Sequence, residues 1–249
     1  MSVLDLPREI SGCLFDLDGV LTQTAKVHAR AWKQMFDDFL GERSERTGEP
    51  FEPFDLPKDY DEYVDGLPRL DGVRSFLESR AIALPAGSPT DPAGRDTVWG
   101  LGQLKNNLVL QLIDEEGVEP YEGSVRFAEA ARTQGLGRAV VSSSTNAREV
   151  LVAAGIDDLF DVVVDGRVAE RERLAGKPAP DTFLFGADAL GVKPAQAAVF
   201  EDSLAGVEAG RAGAFGWVVG VDRTGQADAL RRRGADVVVR DLAELSGRE

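Results

Sequence analysis

Along the C-terminal half of the chain, short runs of β-branched and small apolar residues alternate with stretches whose apolar positions recur at helical spacing. Ala139-Val140-Val141, Val162-Val163-Val164, Ala198-Val199-Phe200, Trp217-Val218-Val219 and Val237-Val238-Val239 read as strands. Residues 124–134, 146–154, 180–190, 203–212 and 226–233 read as the helices between them. Near-continuous apolar strands separated by helices predict an α/β fold, a parallel sheet covered on both faces. Glycines punctuate the helix ends, as in Gly135-Leu136-Gly137 and Gly213-Ala214-Phe215-Gly216. Near the N-terminus, Cys13-Leu14-Phe15 adds one more strand. Residues 24–118 have a different texture, with helical patterns over Ala25 to Phe39, Val73 to Arg80 and Thr97 to Glu116 and no strand candidate. Two polar stretches rich in proline and glycine, Gly41 to Asp59 and Leu84 to Asp96, read as long loops. The pattern therefore predicts a sheet-bearing core over 1–23 and 119–249, with a helical cap, 24–118, inserted after the first strand.

A chain of 249 residues suits one large domain or two modest ones. With 43% apolar and 29% charged residues, its composition is that of an ordinary soluble globular protein. No apolar run approaches the roughly 20 residues that span a bilayer. The stretch Met1 to Ile10 carries Asp5 and Glu9 and lacks the apolar centre of an export signal, so a cytoplasmic protein is expected. Cys13 is the single cysteine, which allows no internal disulfide and fits a small buried residue. A net charge of −15 argues against nucleic acid or an anionic membrane as partner, since both are bound through clustered positive charge. Arg231-Arg232-Arg233 is a local exception and reads as an exposed helix end. An acidic protein that handles phosphate must supply positive charge locally, by a metal ion or a few placed lysines.

Four signals carry candidate chemistry. In Asp16-Leu17-Asp18-Gly19 two carboxylates follow the first strand, so Asp16 would stand at the carboxyl edge of the sheet, where open α/β sheets bind ligands. One carboxylate can attack while the other moves a proton. In Ser142-Ser143-Ser144-Thr145-Asn146, hydroxyls, an amide and free helix N–H groups can hold a phosphate. In Gly176-Lys177-Pro178-Ala179-Pro180-Asp181, a lysine held before two prolines can neutralise phosphoryl oxygens and orient Asp16. Glu201 and Asp202, at the end of another strand, suit a hard divalent cation shared with Asp16. Each signal alone has an ordinary reading as a turn or a helix cap; the ordered set points to phosphoryl transfer through an aspartyl phosphate.

This order of motifs resembles the haloacid-dehalogenase-like phosphotransferases over essentially the whole chain, which implies a Rossmann-like core with an inserted cap. Asp16 to Ala25, then His28, Ala31-Trp32-Lys33, Lys105-Asn106 and Gly176 to Asp181, are similar to the β-phosphoglucomutase family. The resemblance implies a cytoplasmic monomer of carbohydrate metabolism. It would interconvert β-D-glucose 1-phosphate and glucose 6-phosphate through glucose 1,6-bisphosphate, with magnesium (Mg2+) as cofactor and sugar phosphates and bisphosphates as its only partners. Asp16 would be the nucleophile and Asp18 the acid/base, its carbonyl also reaching the metal, with Glu201 and Asp202 completing the metal site. Thr24, Ser142, Ser143, Ser144, Thr145, Asn146 and Lys177 would bind phosphate. His28, the single histidine, would act as a proton relay, with Lys105 linking substrate binding to cap closure.

Some positions depart from the family. Thr145 stands where well-known mutases carry lysine, and Gln23 where the family carries aspartate. Leu70-Asp71-Gly72-Val73-Arg74 resembles the cap loop that grips the non-transferring phosphate, through Gly72 and Arg74, but Asp71 replaces a basic residue and Arg74 is displaced by one position. A sugar-phosphate phosphatase of the same superfamily is the alternative, since only the acceptor differs.

Overall fold

In the computed structural model, which describes residues 4–247, the strand runs pair into one parallel sheet. The strands are β1 (Gly12–Phe15), β2 (Gly137–Val141), β3 (Val162–Val164), β4 (Ala197–Glu201), β5 (Trp217–Val221) and β6 (Val237–Val239), in the order β3-β2-β1-β4-β5-β6. β1 lies at the centre, with Phe15 opposite Val140 on one side and Phe200 on the other. Successive side chains of a strand face opposite ways, so unbroken apolar runs feed two cores. On one face Leu14, Val141, Val199 and Val218 pack against Phe183 of α8 (Asp181–Ala189) and Val207 of α9 (Leu204–Ala212). On the other, Phe15 stacks on Phe200 with ring centroids 4.7 Å apart, and Phe127 of α5 (Glu122–Thr133) closes edge-on over both. The chain departs from β1 toward β2 and later returns on its other side at β4. This reversal opens a crevice at the carboxyl ends of the central strands, where side chains from several loops can converge.

Two compact units emerge. One comprises the residues up to Gln23, Gly66–Pro68 and the chain from Val118 onward; the other comprises Thr24–Asp65 and Arg69–Gly117. The second is helical: α1 (Ala25–Thr47), α2 (Lys58–Tyr63), α3 (Arg69–Ser79) and α4 (Val98–Glu116). Trp32, Met35, Phe36 and Phe39 recur at helical spacing on α1 and bury one stripe of it against Phe54, Phe76 and Leu101. Trp32 stacks on Phe36, and Phe36 on Phe54. Among the described residues this unit contains no strand, as the pattern predicts.

Three expectations are corrected. α1 does not stop before Gly41 but runs two turns further, through a polar segment of good helix formers, and ends where Gly48 takes φ +74° and its N–H returns to Ser44. The stretch read as a loop also yields the start of α2. A helix absent from the sequence reading, α7 (Gly166–Glu172), follows β3 and is capped by Asp165, whose carboxylate accepts from the Val168 N–H at 2.8 Å. The short helices α6 (Ala147–Ala153) and α10 (Ala227–Arg233) stand where expected. Arg231, Arg232 and Arg233 form the exposed end of α10, with Arg231 paired to Asp228 and Arg233 to Glu208. Cys13 is buried in β1 as a free thiol. No helix among the described residues is long and apolar enough to cross a membrane. Of the N-terminal stretch read above, residues 1–3 lie outside the described range.

Candidate active site

Asp16 directly follows β1, and its N–H still donates to the Phe200 carbonyl at 2.9 Å, so the sheet itself fixes the residue at its edge. The chain then closes on itself. Leu21 and Thr22 N–H groups and the Thr22 hydroxyl all donate to the Leu17 carbonyl, while Gly19 N–H donates to the Thr22 carbonyl. Gly19 is required twice over. Its φ is +92°, and a Cβ there would lie 1.7 Å from Asp202 Oδ2. The Asp202 carboxylate thus rests on the backbone of the loop that carries Asp16 and Asp18.

Lys177 organises the centre. Its ammonium has three protons and three acceptors: Asp16 Oδ1 at 2.5 Å, the Val141 carbonyl at 3.3 Å and Glu201 Oε1. Glu201, expected among the metal ligands, has both oxygens engaged. Oε1 accepts from Lys177 and Oε2 from the Ser203 N–H and hydroxyl at 2.8 and 2.9 Å. Its carboxylate is wedged beneath the first turn of α9, where a Cβ on Gly206 would collide with it. Burial, with the charges of Glu201 and Asp18 nearby, holds the Asp16 carboxyl above the ordinary carboxylate range, against the opposing pull of Lys177. Burial alone would lower the Lys177 ammonium, but Asp16 and Glu201 overcome it and hold the lysine charged above its usual value.

The Ser142–Asn146 stretch opens from β2. Ser142 Oγ accepts from Ser144 N–H, and Ser144 Oγ accepts from Asn146 N–H at the start of α6. Ser143 Oγ donates to the Gly66 carbonyl at 2.8 Å, and a Cβ on Gly66 would meet Ser203 Oγ. The Thr145 methyl faces Gly166 at the start of α7. Asp16, Lys177, Glu201, Asp202 and the Ser142 loop therefore share one edge of the sheet.

The remaining candidates lie in the helical unit. Thr24 is buried just before α1, its carbonyl accepting from His28 N–H. Lys105 is buried on α4, with Nζ 2.9 Å from His28 Nδ1 and 4.8 Å from the centroid of the Trp32 ring. A charged Lys105 donating to Nδ1 places the ring proton of neutral His28 on Nε2. The segment Leu70–Arg74, read as a loop, is helical and forms the first turns of α3. Gly72 is buried there because helix packing brings it against Trp32, and Arg74 is exposed in a pair with Asp71 one turn earlier. Arg69, one residue before that segment, donates from Nη1 to Asn106 Oδ1 at 2.5 Å, beside Lys105 in the chain. Gln23, in the sheet-bearing unit, donates to Glu119. An aspartate there would set two carboxylates against each other.

Donor chemistry bears on a metal. Among the described residues no three histidine, cysteine or carboxylate side chains converge on one cation position, and Lys177 bridges two of the candidates. The donors at this edge are all oxygen, and Asp16, Glu201 and Asp202 are buried against a single buried lysine. That excess of negative charge fits a hard, oxygen-preferring divalent cation.

With this geometry in hand, the likenesses to known proteins are specific. The chain matches the haloacid dehalogenase-like hydrolase family over residues 10–213. A β-phosphoglucomutase of Mycobacterium tuberculosis is 58% identical over 98% of this chain and 94% of its own. The crystal structure of a β-phosphoglucomutase from Clostridium difficile superposes with a TM-score of 0.71 at 26% identity, over 95% of this chain and 93% of that one. A haloacid dehalogenase family hydrolase from Deinococcus radiodurans, solved with bound phosphate and sodium, gives 0.63 at 26% identity, over 96% and 94%.

Proposed function

The chain belongs to the haloacid dehalogenase-like hydrolase family and to its β-phosphoglucomutase branch, and we propose on that basis that it is a magnesium-dependent mutase interconverting β-D-glucose 1-phosphate and glucose 6-phosphate. The observation that carries the reading is the buried Lys177, which holds Asp16 and Glu201 together at the edge of β1.

Asp16 attacks the phosphorus of a sugar bisphosphate, the bond from phosphorus to the sugar oxygen breaks, and Asp18 gives a proton to the departing oxygen. In the return direction Asp18 takes the proton from a sugar hydroxyl as that oxygen attacks the aspartyl phosphate. Lys177 keeps a fixed positive charge beside the oxygens that gain negative charge in transfer. The Ser142–Asn146 stretch supplies hydroxyl and main-chain donors to the transferring group. Magnesium, when bound, offsets repulsion between the anionic nucleophile and its anionic substrate. Asp16, the main-chain carbonyl of Asp18 and Asp202 would hold it, while Glu201 adds charge and keeps Lys177 in place.

The partition of products tests the reading. Purified protein is given magnesium, β-glucose 1-phosphate and a trace of glucose 1,6-bisphosphate, and glucose 6-phosphate and free phosphate are followed together. Glucose 6-phosphate should outpace phosphate by orders of magnitude. Phosphate as the main product makes the protein a sugar-phosphate phosphatase, the reading that Thr145 in place of a second lysine favours.

A further inference from the structure

One side chain outside the four motifs reaches the loop that carries Asp16 and Asp18. Arg223 follows β5 by two residues, and its guanidinium is clasped on several sides. Nε donates to the Gly19 carbonyl at 2.7 Å, and Nη1 donates to the Arg240 carbonyl at 2.6 Å while lying 3.6 Å from Asp241 Oδ2. The plane rests on the Tyr121 ring, with Cζ 3.5 Å from its centroid. Nη2 is buried with no acceptor in the described protein, so this donor is stranded to keep the other contacts. Three residues on, Gln226 Nε2 donates to the Asp202 carbonyl at 3.1 Å. Asp222 Oδ1 holds the turn between them by accepting from the Gly225 and Gln226 N–H groups.

Consider what these bonds fix. The peptide before Gly19 is held through its N–H by the Thr22 carbonyl, and the peptide after it is held through its carbonyl by Arg223. Glycine at φ +92° has no side chain to hold its own conformation, so these two bonds define it. Asp18 directly precedes Gly19, and the Asp202 carboxylate rests against it. We propose that Arg223 is a positioning residue for phosphoryl transfer: by pinning the Gly19 carbonyl, it holds Asp18 and Asp202 in place relative to Asp16. Arginine is required because one rigid planar group must donate in two directions while stacking on Tyr121, which a lysine ammonium cannot do. The inference rests on the assignment of Asp16 and Asp18 under the proposed function.

The test compares wild type with Arg223→Ala and Arg223→Lys, using thermal melting to confirm folding. Two reactions are followed, conversion of β-glucose 1-phosphate and hydrolysis of p-nitrophenyl phosphate. A misplaced reacting group costs on the order of 100-fold in rate. Both variants should lose kcat on that scale with KM within about twofold, and low millimolar guanidinium should restore part of the kcat of Arg223→Ala alone. If Arg223→Ala does not fold, the kcat and KM of Arg223→Lys decide. Unchanged kcat in a folded variant overturns the proposal. So does a loss that follows the fall in melting temperature without guanidinium rescue, since that is structural support only. A wild type that hydrolyses p-nitrophenyl phosphate but makes no glucose 6-phosphate defeats the mutase reading and leaves Arg223 to be judged on hydrolysis. A wild type inactive on both defeats the two together.

Discussion

Every proton of the Lys177 ammonium is engaged, and two of its three acceptors are carboxylates with almost no contact with water. Removing the lysine strands both. Lys177→Met should therefore cost about 3–5 kcal/mol in unfolding free energy as well as activity. The pH dependence has a definite sign. The Asp16 carboxyl is already raised above its unfolded value and rises further without Lys177, so the folded state binds more protons. The variant's stability is then greatest below the ordinary carboxylate pKa and falls as pH rises through the raised one, which urea titrations across that range would register. Loss of stability on acidification instead would contradict the burial argument. Asp16→Asn should abolish turnover and leave the melting curve essentially in place, since the amide keeps the shape of the side chain; substantial residual turnover would remove Asp16 as nucleophile. Residue identity was the most legible layer. Asp16 and Asp202 announce themselves by type and by position after apolar strands, and Lys177 by its place before two prolines. Arg223 had no sequence signal at all, since its role depends on a carbonyl some 200 positions away in the chain.

At the scale of elements, the loop before α4 in the helical unit is held by a compact polar knot. Thr97 Oγ1 donates to Asp91 Oδ2 at 2.7 Å and accepts from the Gly100 N–H at 2.9 Å, while Asp91 also accepts from Ser88 N–H. The Thr97 hydroxyl, then the Ser88 amide, holds the Asp91 carboxyl below the ordinary carboxylate range. Its stabilisation is present above the unfolded carboxylate pKa and fades as pH falls through the lowered one. Exchange of the Gly100 amide hydrogen should accordingly become less protected in acid than that of amides deeper in α4. Thr97→Ala should cost about 1 kcal/mol and remove that pH dependence; an unaltered Gly100 would show the knot to be idle. Helix ends were less legible than helix existence. α1 continues past Gly41 because a lone glycine in a segment of helix formers is tolerated, whereas Gly48 can adopt the left-handed turn that ends it. α7 was missed although Asp165 is an ordinary N-cap, since its seven residues carry too little apolar periodicity to stand out.

For the molecule as a whole, the parallel sheet was readable because strands buried on both faces have no polar alternation to blur them. The return of Gly66–Pro68 to the sheet-bearing unit was not, because three residues carry no pattern of their own. Cys13, at the centre of that sheet, reports on its integrity. Burial pushes its thiol up to about 12, so a thiol reagent at pH 8 should modify it only as fast as the core opens. Rapid labelling of the native protein would mean that the central strand is accessible. The central claim, that Asp16 at the edge of this sheet is the group that receives phosphate, is tested most directly by trapping it. The protein is mixed with magnesium and glucose 1,6-bisphosphate, quenched in acid and mapped by peptide mass spectrometry. One acid-stable, alkali-labile phosphoryl group on the peptide carrying Asp16, absent from Asp16→Asn, is the expected result. Turnover without a phosphorylated Asp16, or with the phosphoryl group on another residue, would contradict it.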